Sequence, residues 1–101
     1  MQTILSPSVS NVTGTRALAT PYHNTYGRKM TVSVALNSPI VGANNQALSD
    51  AVNPPTTSVG QAGAVATYEA PLVFTVLPGD WYMVNSTDPA AAIDNWVEEL
   101  L

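Results

Sequence analysis

The sequence predicts one all-β domain, a small β-sandwich or jelly roll of about six to eight antiparallel strands. Apolar and polar residues alternate with a period of two wherever a pattern is visible, and Pro, Gly and Asn residues interrupt the chain at short intervals. The 101 residues suffice for a single core. We therefore expect residues 1–101 to form one domain, with residues 1–9 as an extended arm or an edge strand.

Two half-buried strands are predicted in the first third of the chain. Residues 16–22 alternate in polarity, and residues 30–37 place Met, Val, Val and Leu on one face. Between them, residues 23–28 form a turn-rich segment whose Asn24 and Gly27 tolerate positive φ. We expect these two strands to pair as an antiparallel hairpin.

The middle of the chain, residues 37–63, is dense in Pro, Gly and Asn. Such breakers exclude a long helix or a long central strand. Since a structureless loop of this length is uncommon in a compact domain, we expect short strands near Ile40 and Val41 and over residues 47–51.

The β pattern returns in the last third of the chain. Residues 68–76 and 81–84 read as strands, and the intervening Pro-Gly-Asp turn suggests a second hairpin. Residues 88–93 begin with Asp-Pro, which favours a helix start, whereas Trp96 and its neighbours suit a closing strand. We expect a helical turn over residues 89–93 followed by a terminal strand.

The amino-acid composition limits the kinds of partner that the protein is expected to bind. Charged residues make up 10% of the chain, against about 25% in an average globular protein, so we expect another molecule to cover much of the surface. The net charge is −4, and Arg16, Arg28 and Lys29 form no stripe that would follow a phosphate backbone. We therefore expect no nucleic acid partner, and the absence of cysteine excludes disulfides and thiolate metal sites.

No membrane or secretory signal is visible in the sequence. No apolar run approaches the roughly 20 residues that span a bilayer, and residues 1–7 lack the features of a signal peptide. We expect a soluble, unprocessed protein without a membrane partner. The two Asn-x-Ser/Thr sequons, at 11–13 and 85–87, are interpreted as turn chemistry.

The single histidine, His23, is the natural candidate for a general base. Ser33 or Thr25 with Asp80 would complete a triad, but no spacing selects them and no G-x-S-x-G elbow is present. We favour a turn histidine without a catalytic role and predict that the protein is not an enzyme.

The acidic residues suggest neither a metal site nor a cofactor. A glycosidase pair stays an alternative, because two carboxylates from different strands can face each other across about 5–9 Å. Asp94, Glu98 and Glu99 are possible oxygen ligands, yet no calcium-loop pattern is present. We prefer solvated acids and a charged terminal edge that discourages strand pairing.

The aromatic residues are candidates for a carbohydrate platform or for anchors of a protein interface. Alternation places Trp81 and Met83 on one face of their strand and Tyr82 and Val84 on the other, so both faces carry a large apolar group. We expect most aromatics in the core, with one of these faces covered by another chain or by a neighbouring loop.

Several short motifs resemble a small β-sandwich module found in virion proteins of tailed bacteriophages. In order, they are an Arg-containing strand, an Asn-Thr-x-Gly-Arg turn, a Val-x-Pro-Gly-x-x-Tyr turn and a terminal Trp-x-Glu. In this chain they correspond to Arg16, residues 24–28, residues 76–82 and residues 96–98. The resemblance implies an oligomeric virion component, often a trimer, located in a tail fibre or baseplate or on the capsid as a decoration or cement protein.

The first hypothesis from this resemblance is a cement protein, made in the host cytoplasm, that bridges major capsid protein subunits on the virion surface. The alternatives are a receptor- or carbohydrate-binding tip of a tail fibre or baseplate, and a small hydrolase. The interface candidates by segment are the uncharged residues 3–9 of the N-terminal arm and residues 44–63. The interface candidates by residue are Ile4, Leu5, Val9, Tyr26, Trp81 and Tyr82.

Overall fold

Eight strands form two four-stranded sheets in the computed structural model, which describes residues 8–37, 43–63 and 70–101. All paired strands are antiparallel. The strands are β1 (Ser8–Asn11), β2 (Tyr22–His23), β3 (Met30–Asn37), β4 (Asn44–Asp50), β5 (Ser58–Gly63), β6 (Ala70–Val76), β7 (Trp81–Ser86) and β8 (Ala92–Leu100), with a 3₁₀ turn at Thr13–Thr15. The predicted all-β sandwich is confirmed.

The order of the strands is β1-β8-β3-β6 in the first sheet, sheet A, and β2-β7-β4-β5 in the second, sheet B. Both predicted hairpins are wrong, because β2 and β3 belong to different sheets, as do β6 and β7. A turn-rich segment between two alternating strands has the same local signature whether the chain folds back within one sheet or crosses to the other. Only the long-range pairing distinguishes the two cases.

The core lies between the sheets and follows the period-two alternation of the strands. Every second residue of β3 is fully buried, while the residues between them are partly exposed. Each such apolar side chain stabilises the fold by about 1.5–3 kcal/mol relative to an exposed one. The core comprises Met30, Val32, Val34, Leu36, Ala47, Leu72, Phe74, Val76, Tyr82, Val84 and Trp96.

Three local predictions have different outcomes. β4 confirms the strand expected over residues 47–51, although it begins three residues earlier. Ile40 and Val41 lie outside the described residues. The predicted strand over residues 16–22 is wrong except at its end, since Ala19 has a φ of +56°, which strand geometry does not allow.

The helical turn predicted over residues 89–93 is wrong, and the terminal strand is confirmed. The backbone N–H of Ala91 donates to the carbonyl oxygen of Asp88 at 3.1 Å, which closes a turn, and β8 begins at Ala92. Asp88 Oδ1 accepts the N–H of Ala90 at 2.8 Å. An Asp-Pro pair starts a turn as readily as a helix, and pairing of β8 with both β1 and β3 favours the strand.

The two sequons differ in structure. Asn11 accepts the backbone N–H of Thr13 at 3.1 Å and its hydroxyl at 2.7 Å, which confirms the turn interpretation there. Asn85 lies within β7, so that interpretation is wrong for the second sequon. Among the residues described, no helix is long and apolar enough to cross a bilayer.

Candidate binding surfaces

A buried carboxylate joins the two sheets. Glu98, on β8, is 5% exposed and forms a two-point ion pair with Arg16, Nη2 to Oε1 at 3.0 Å and Nε to Oε2 at 3.1 Å. The Tyr82 hydroxyl donates to Oε2 at 2.6 Å, and the Trp96 indole N–H donates to the same oxygen at 3.1 Å. Because Tyr82 belongs to sheet B and Trp96 to sheet A, this network ties the sheets together through hydrogen bonds.

The electrostatics of the network favour one fixed protonation state. Burial, followed by the hydrogen bond to Glu98, raises the pKa of Tyr82 well above its ordinary value. Burial lowers the pKa of Arg16, but the hydrogen bond and the charge of Glu98 more than offset this and raise it. At neutral pH the phenol is therefore a donor and the guanidinium is charged, as a structural anchor requires.

A buried amide joins two turns at one end of the sandwich. Asn24 is fully buried, and its Nδ2 donates to the carbonyl oxygens of Arg28 at 2.8 Å and Leu77 at 3.2 Å. Its backbone N–H donates to the Asp80 carbonyl at 2.9 Å, and its own carbonyl accepts the N–H of Gly79 at 2.9 Å. The turn after β2 and the turn before β7 are therefore fixed against each other.

The motifs that carry the family resemblance build these two anchors. Arg16, Trp96 and Glu98 belong to the carboxylate network, and Asn24 and Gly79 belong to the joined turns. Gly79 has a φ of +83°, a left-handed conformation that glycine adopts at no steric cost. The motifs thus supply hydrogen bonds that hold the two sheets and the two turns together. The residues that contact a partner must be sought among the outward-facing positions.

The outward face of sheet A, here called the sheet A face, is broad and nearly uncharged. Eleven residues form the central part of this face, and Glu99 is the single charged residue among them, while Asp94, exposed at the bulge of β8 beside Asn95, is a second acid at its margin. Val9 and Val73 are 63% and 61% exposed. The central part comprises Val9, Asn11, Thr31, Ser33, Ala35, Pro71, Val73, Thr75, Asn95, Val97 and Glu99, and Asn37 and Ala92 continue the face beyond the bulge.

The outward face of sheet B carries larger and more varied side chains. Three rows of side chains cross its strands. The first row is mainly aromatic, the second is mainly apolar and the third consists of amides. The rows are His23, Trp81 and Asp50; Met83, Leu48 and Ser58; and Asn85, Gln46 and Gln61. We call His23, Trp81, Met83, Asn85 and Gln46 the sheet B strip.

The aromatic row is fixed by a ring stack. The rings of His23 and Trp81 lie parallel, with an interplanar angle of 2° and centroids 4.3 Å apart. The Nε2 of His23 is 3.0 Å from the Gly79 carbonyl, and since a carbonyl only accepts, this nitrogen carries the proton. Trp81 is half-buried and His23 is exposed, so the pair, here called the aromatic platform, holds two rings rigidly at the surface, with one face of each ring covered by the other.

Asp50 lies beside the platform, but its carboxylate is hydrogen-bonded to the loop that follows it. Its carboxylate accepts the backbone N–H groups of Val52 at 2.8 Å and of Thr56 and Thr57 at 2.9 Å. Hydrogen bonds from the Thr56 and Val52 amides lower the pKa of Asp50 to about 2. Residues 51–57 are therefore fixed against the end of β4.

The amide row contains an unsatisfied atom. The Oδ1 of Asn85 is buried and has no hydrogen-bond partner among the described residues, although the side chain as a whole is only half-buried. Buried polar atoms without partners are uncommon and costly in folded proteins. Asn85 is paired across the strands with Gln46, a second amide on the same face.

A small cavity opens at the edge of the sandwich under β1. Its volume is about 190 Å³. It is lined by Ser8, Ser10, Val12, Tyr26, Met30, Glu98 and Leu100. Since both oxygens of Glu98 already accept donors from Arg16, Tyr82 and Trp96, the carboxylate contributes to the fold of this edge and not to chemistry in the cavity.

The predicted interface residues are scattered over the molecule. Val9 lies on the sheet A face and Tyr26 at the edge cavity, where it is 57% exposed. Trp81 lies on the opposite face, and Tyr82 is only 2% exposed, so Tyr82 belongs to the core and not to any surface. Ile4 and Leu5 lie outside the described residues, as does most of the predicted arm over residues 1–9.

Thr25 and Asp80 lie near His23 at the joined turns, where the backbone N–H of Asn24 donates to the Asp80 carbonyl, whereas the other residues considered for catalysis or metal binding are separated. Ser33 lies on the sheet A face and His23 on the outward face of sheet B, on opposite sides of the sandwich. Glu98 points inward and Glu99 outward. Within residues 8–37, 43–63 and 70–101, no group of three His, Asp or Glu side chains is placed to hold a metal ion.

Sequence reasoning missed the amides next to the aromatic platform. Alternation from Trp81 through Met83 reaches Asn85, so the period-two rule alone would have placed all three on one face. Gln46 required knowledge that β4 is paired with β7, which no local pattern supplies.

Comparison with known proteins supports the class of fold, a two-sheet β-sandwich. No family model matches the sequence, and neither does any curated protein. The chain is similar to a solved structure of the N-terminal endo-1,4-β-D-xylanase 10B from Clostridium thermocellum, comprising CBM22-1 and GH10 modules complexed with xylohexaose. The TM-score is 0.57 and the identity 10%, over 95% of this chain and 25% of that one. This likeness shows the fold alone.

Proposed function

We propose that the protein is a non-enzymatic capsid decoration protein of a tailed bacteriophage, acting as an oligomer, with a trimer favoured. It would bind major capsid protein subunits and hold neighbouring subunits together on the virion surface. The sequence motifs that resemble phage virion modules support the phage assignment, and the sheet A face supports the binding role.

The single observation that carries the binding role is the chemistry of the sheet A face. Ten of the eleven residues in its central part are uncharged, and the central strand β3 contributes only Thr31, Ser33 and Ala35 there. Small side chains permit close approach of another protein surface, and neutral ones are desolvated at low cost. Charged residues are depleted at the cores of protein interfaces, and the low charge of this face supports the proposal.

The experiment that tests this proposal measures where the protein is found and which face binds. Quantitative mass spectrometry and cryo-electron microscopy of purified particles should find many copies on the head. In a binding assay with particles that lack the protein, Val73→Glu should abolish binding, because it places a charge among the exposed apolar residues of the sheet A face, in the middle of β6. The matched control is Val59→Glu, the same substitution on the exposed part of β5, which should bind normally.

Two results would overturn the proposal. A few copies at the tail would replace it with the second candidate, a receptor- or carbohydrate-binding tip of a tail fibre or baseplate. That candidate is supported by the exposed platform of His23 and Trp81. Absence of the protein from particles would refute both candidates.

A further inference from the structure

We propose that the sheet B strip is a binding site for a neutral carbohydrate chain. The strip lies on the side of the sandwich opposite the sheet A face. Its role does not depend on whether the protein is located on the head or the tail, so the inference goes beyond the proposed function and can fail without it.

The aromatic platform supplies the apolar half of such a site. One side of a pyranose ring presents C–H groups, and these pack on the flat face of an aromatic ring while the hydroxyls remain at the rim. The stack of His23 on Trp81, with rings at 2° and 4.3 Å, holds the two rings in one fixed orientation and leaves their outer faces for such packing. Because the hydrogen bond from His23 to Gly79 fixes the imidazole as well, little conformational freedom is lost on binding.

The amide row supplies the polar half. Asn and Gln side chains each carry donors and an acceptor, which matches the mixed character of sugar hydroxyls. The Asn85 Oδ1 has no partner among the described residues, and the half-buried side chain can turn this oxygen outward to accept a hydroxyl proton from a ligand. Gln46, directly opposite on β4, offers a second amide to the same ligand.

The spacing favours a chain over a single sugar. Trp81, Met83 and Asn85 alternate along β7, and two residues of an extended strand advance by about 6.7 Å. The strip is therefore about 13 Å long from the platform to the amides. An oligosaccharide that stacks on the platform reaches the amides only with a further sugar unit.

The charge of the strip favours a neutral glycan. Its five residues carry no carboxylate and no Lys or Arg, and the neighbouring Asp50 is engaged by the amides of its own loop. The chain as a whole has a net charge of −4. An acidic polysaccharide would be repelled and would find no cation on the strip.

The test uses the full chain with neutral oligosaccharides, for example xylohexaose and cellohexaose, and an acidic one, oligogalacturonate. The chain has two tryptophans, and Trp96 is fully buried, so a ligand-dependent change in fluorescence reports on Trp81. We expect saturable binding of at least one neutral oligosaccharide and none of the acidic one. Trp81→Ala should weaken binding at least tenfold, and Asn85→Ala severalfold.

Two controls keep the result decisive. Val73→Glu, on the sheet A face, should leave glycan binding unchanged, while circular dichroism verifies that each variant is folded. Trp81→Phe retains a ring and should recover part of the affinity lost in Trp81→Ala. Absence of saturable binding to a panel of neutral oligosaccharides, or affinity that is unchanged in folded Trp81→Ala, would overturn the inference and leave the capsid-binding proposal standing.

Discussion

The outward faces of the two sheets differ sharply, although the same alternation of side chains produces both. The sheet A face has small neutral residues at its centre, with Thr31, Ser33 and Ala35 on β3. The sheet B strip has an indole stacked on an imidazole, with two amides beyond it. Inward positions must satisfy the common core, whereas outward positions are free to specialise, so the difference between the faces is where function should be sought.

The largest effect is expected beneath both faces, at Glu98. In Glu98→Ala, Arg16, the Tyr82 hydroxyl and the Trp96 N–H all lose their acceptor within the sandwich. Breaking a buried ion pair by removing one partner costs about 3–5 kcal/mol. We expect the free energy of unfolding, measured by denaturant titration, to fall by about that amount and both binding activities to weaken together.

Glu99→Ala is the matched control, because Glu99 is the next residue and points outward. It should change the free energy of unfolding by no more than about 0.5 kcal/mol. Equal effects of the two substitutions would contradict the anchoring role of Glu98 and would mean that the sheets are joined by apolar packing alone.

The second effect in size is expected at Asn24, which fixes only one end of the sandwich. Asn24→Ala removes an amide that donates to Arg28 and Leu77 and leaves those carbonyls without that donor. An unsatisfied buried group costs about 1–3 kcal/mol, so we expect a loss of about 2–3 kcal/mol in denaturant titration. The exposed neighbour Thr25 is the control, and a loss as large in Thr25→Ala would contradict the role assigned to the amide.

Sequence reasoning recovered the fold class because alternation is a local property. Residues 30–37 read correctly as a half-buried strand, and Trp96 was correctly assigned to a terminal strand. The pairing of strands was not recoverable in the same way. Both predicted hairpins fail because the turns that contain Asn24 and Gly79 carry the chain from one sheet to the other, and local turn chemistry does not encode that choice.

The candidate surfaces could be predicted only in part from the sequence. Trp81 was correctly singled out as a large residue on one strand face, but Tyr82 next to it is a core residue that donates to Glu98. Alternation shows that two neighbours face opposite ways without showing which way is inward. The stack of His23 on Trp81 depends on pairing between β2 and β7, which only the three-dimensional structure supplies.

A third, smaller effect sharpens the comparison of the faces directly. Val73→Glu and Trp81→Ala lie on opposite sides of the sandwich, so their effects on stability should be independent. We expect no more than about 0.5 kcal/mol from the exposed Val73 and about 1 kcal/mol from loss of the ring stack at Trp81. In the double variant the changes in free energy of unfolding should add to within about 0.5 kcal/mol. A larger coupling would mean that the two faces communicate through the core.

The smallest effect concerns pH and should be confined to sheet B. Since the pKa of Asp50 is lowered to about 2 from an ordinary 3.8, its ionised form is stabilised in the folded protein. Its contribution to stability is therefore fully present above about pH 4 and is lost as the pH falls toward 2. Hydrogen-exchange protection of the Thr56 and Thr57 amides, which donate to Asp50, should decline over that range. The amide of Val32, at the centre of sheet A, serves as the control. If Val32 loses protection to the same extent as Thr56 and Thr57, the whole protein is unfolding in acid. In that case the loop beside the strip is not released locally.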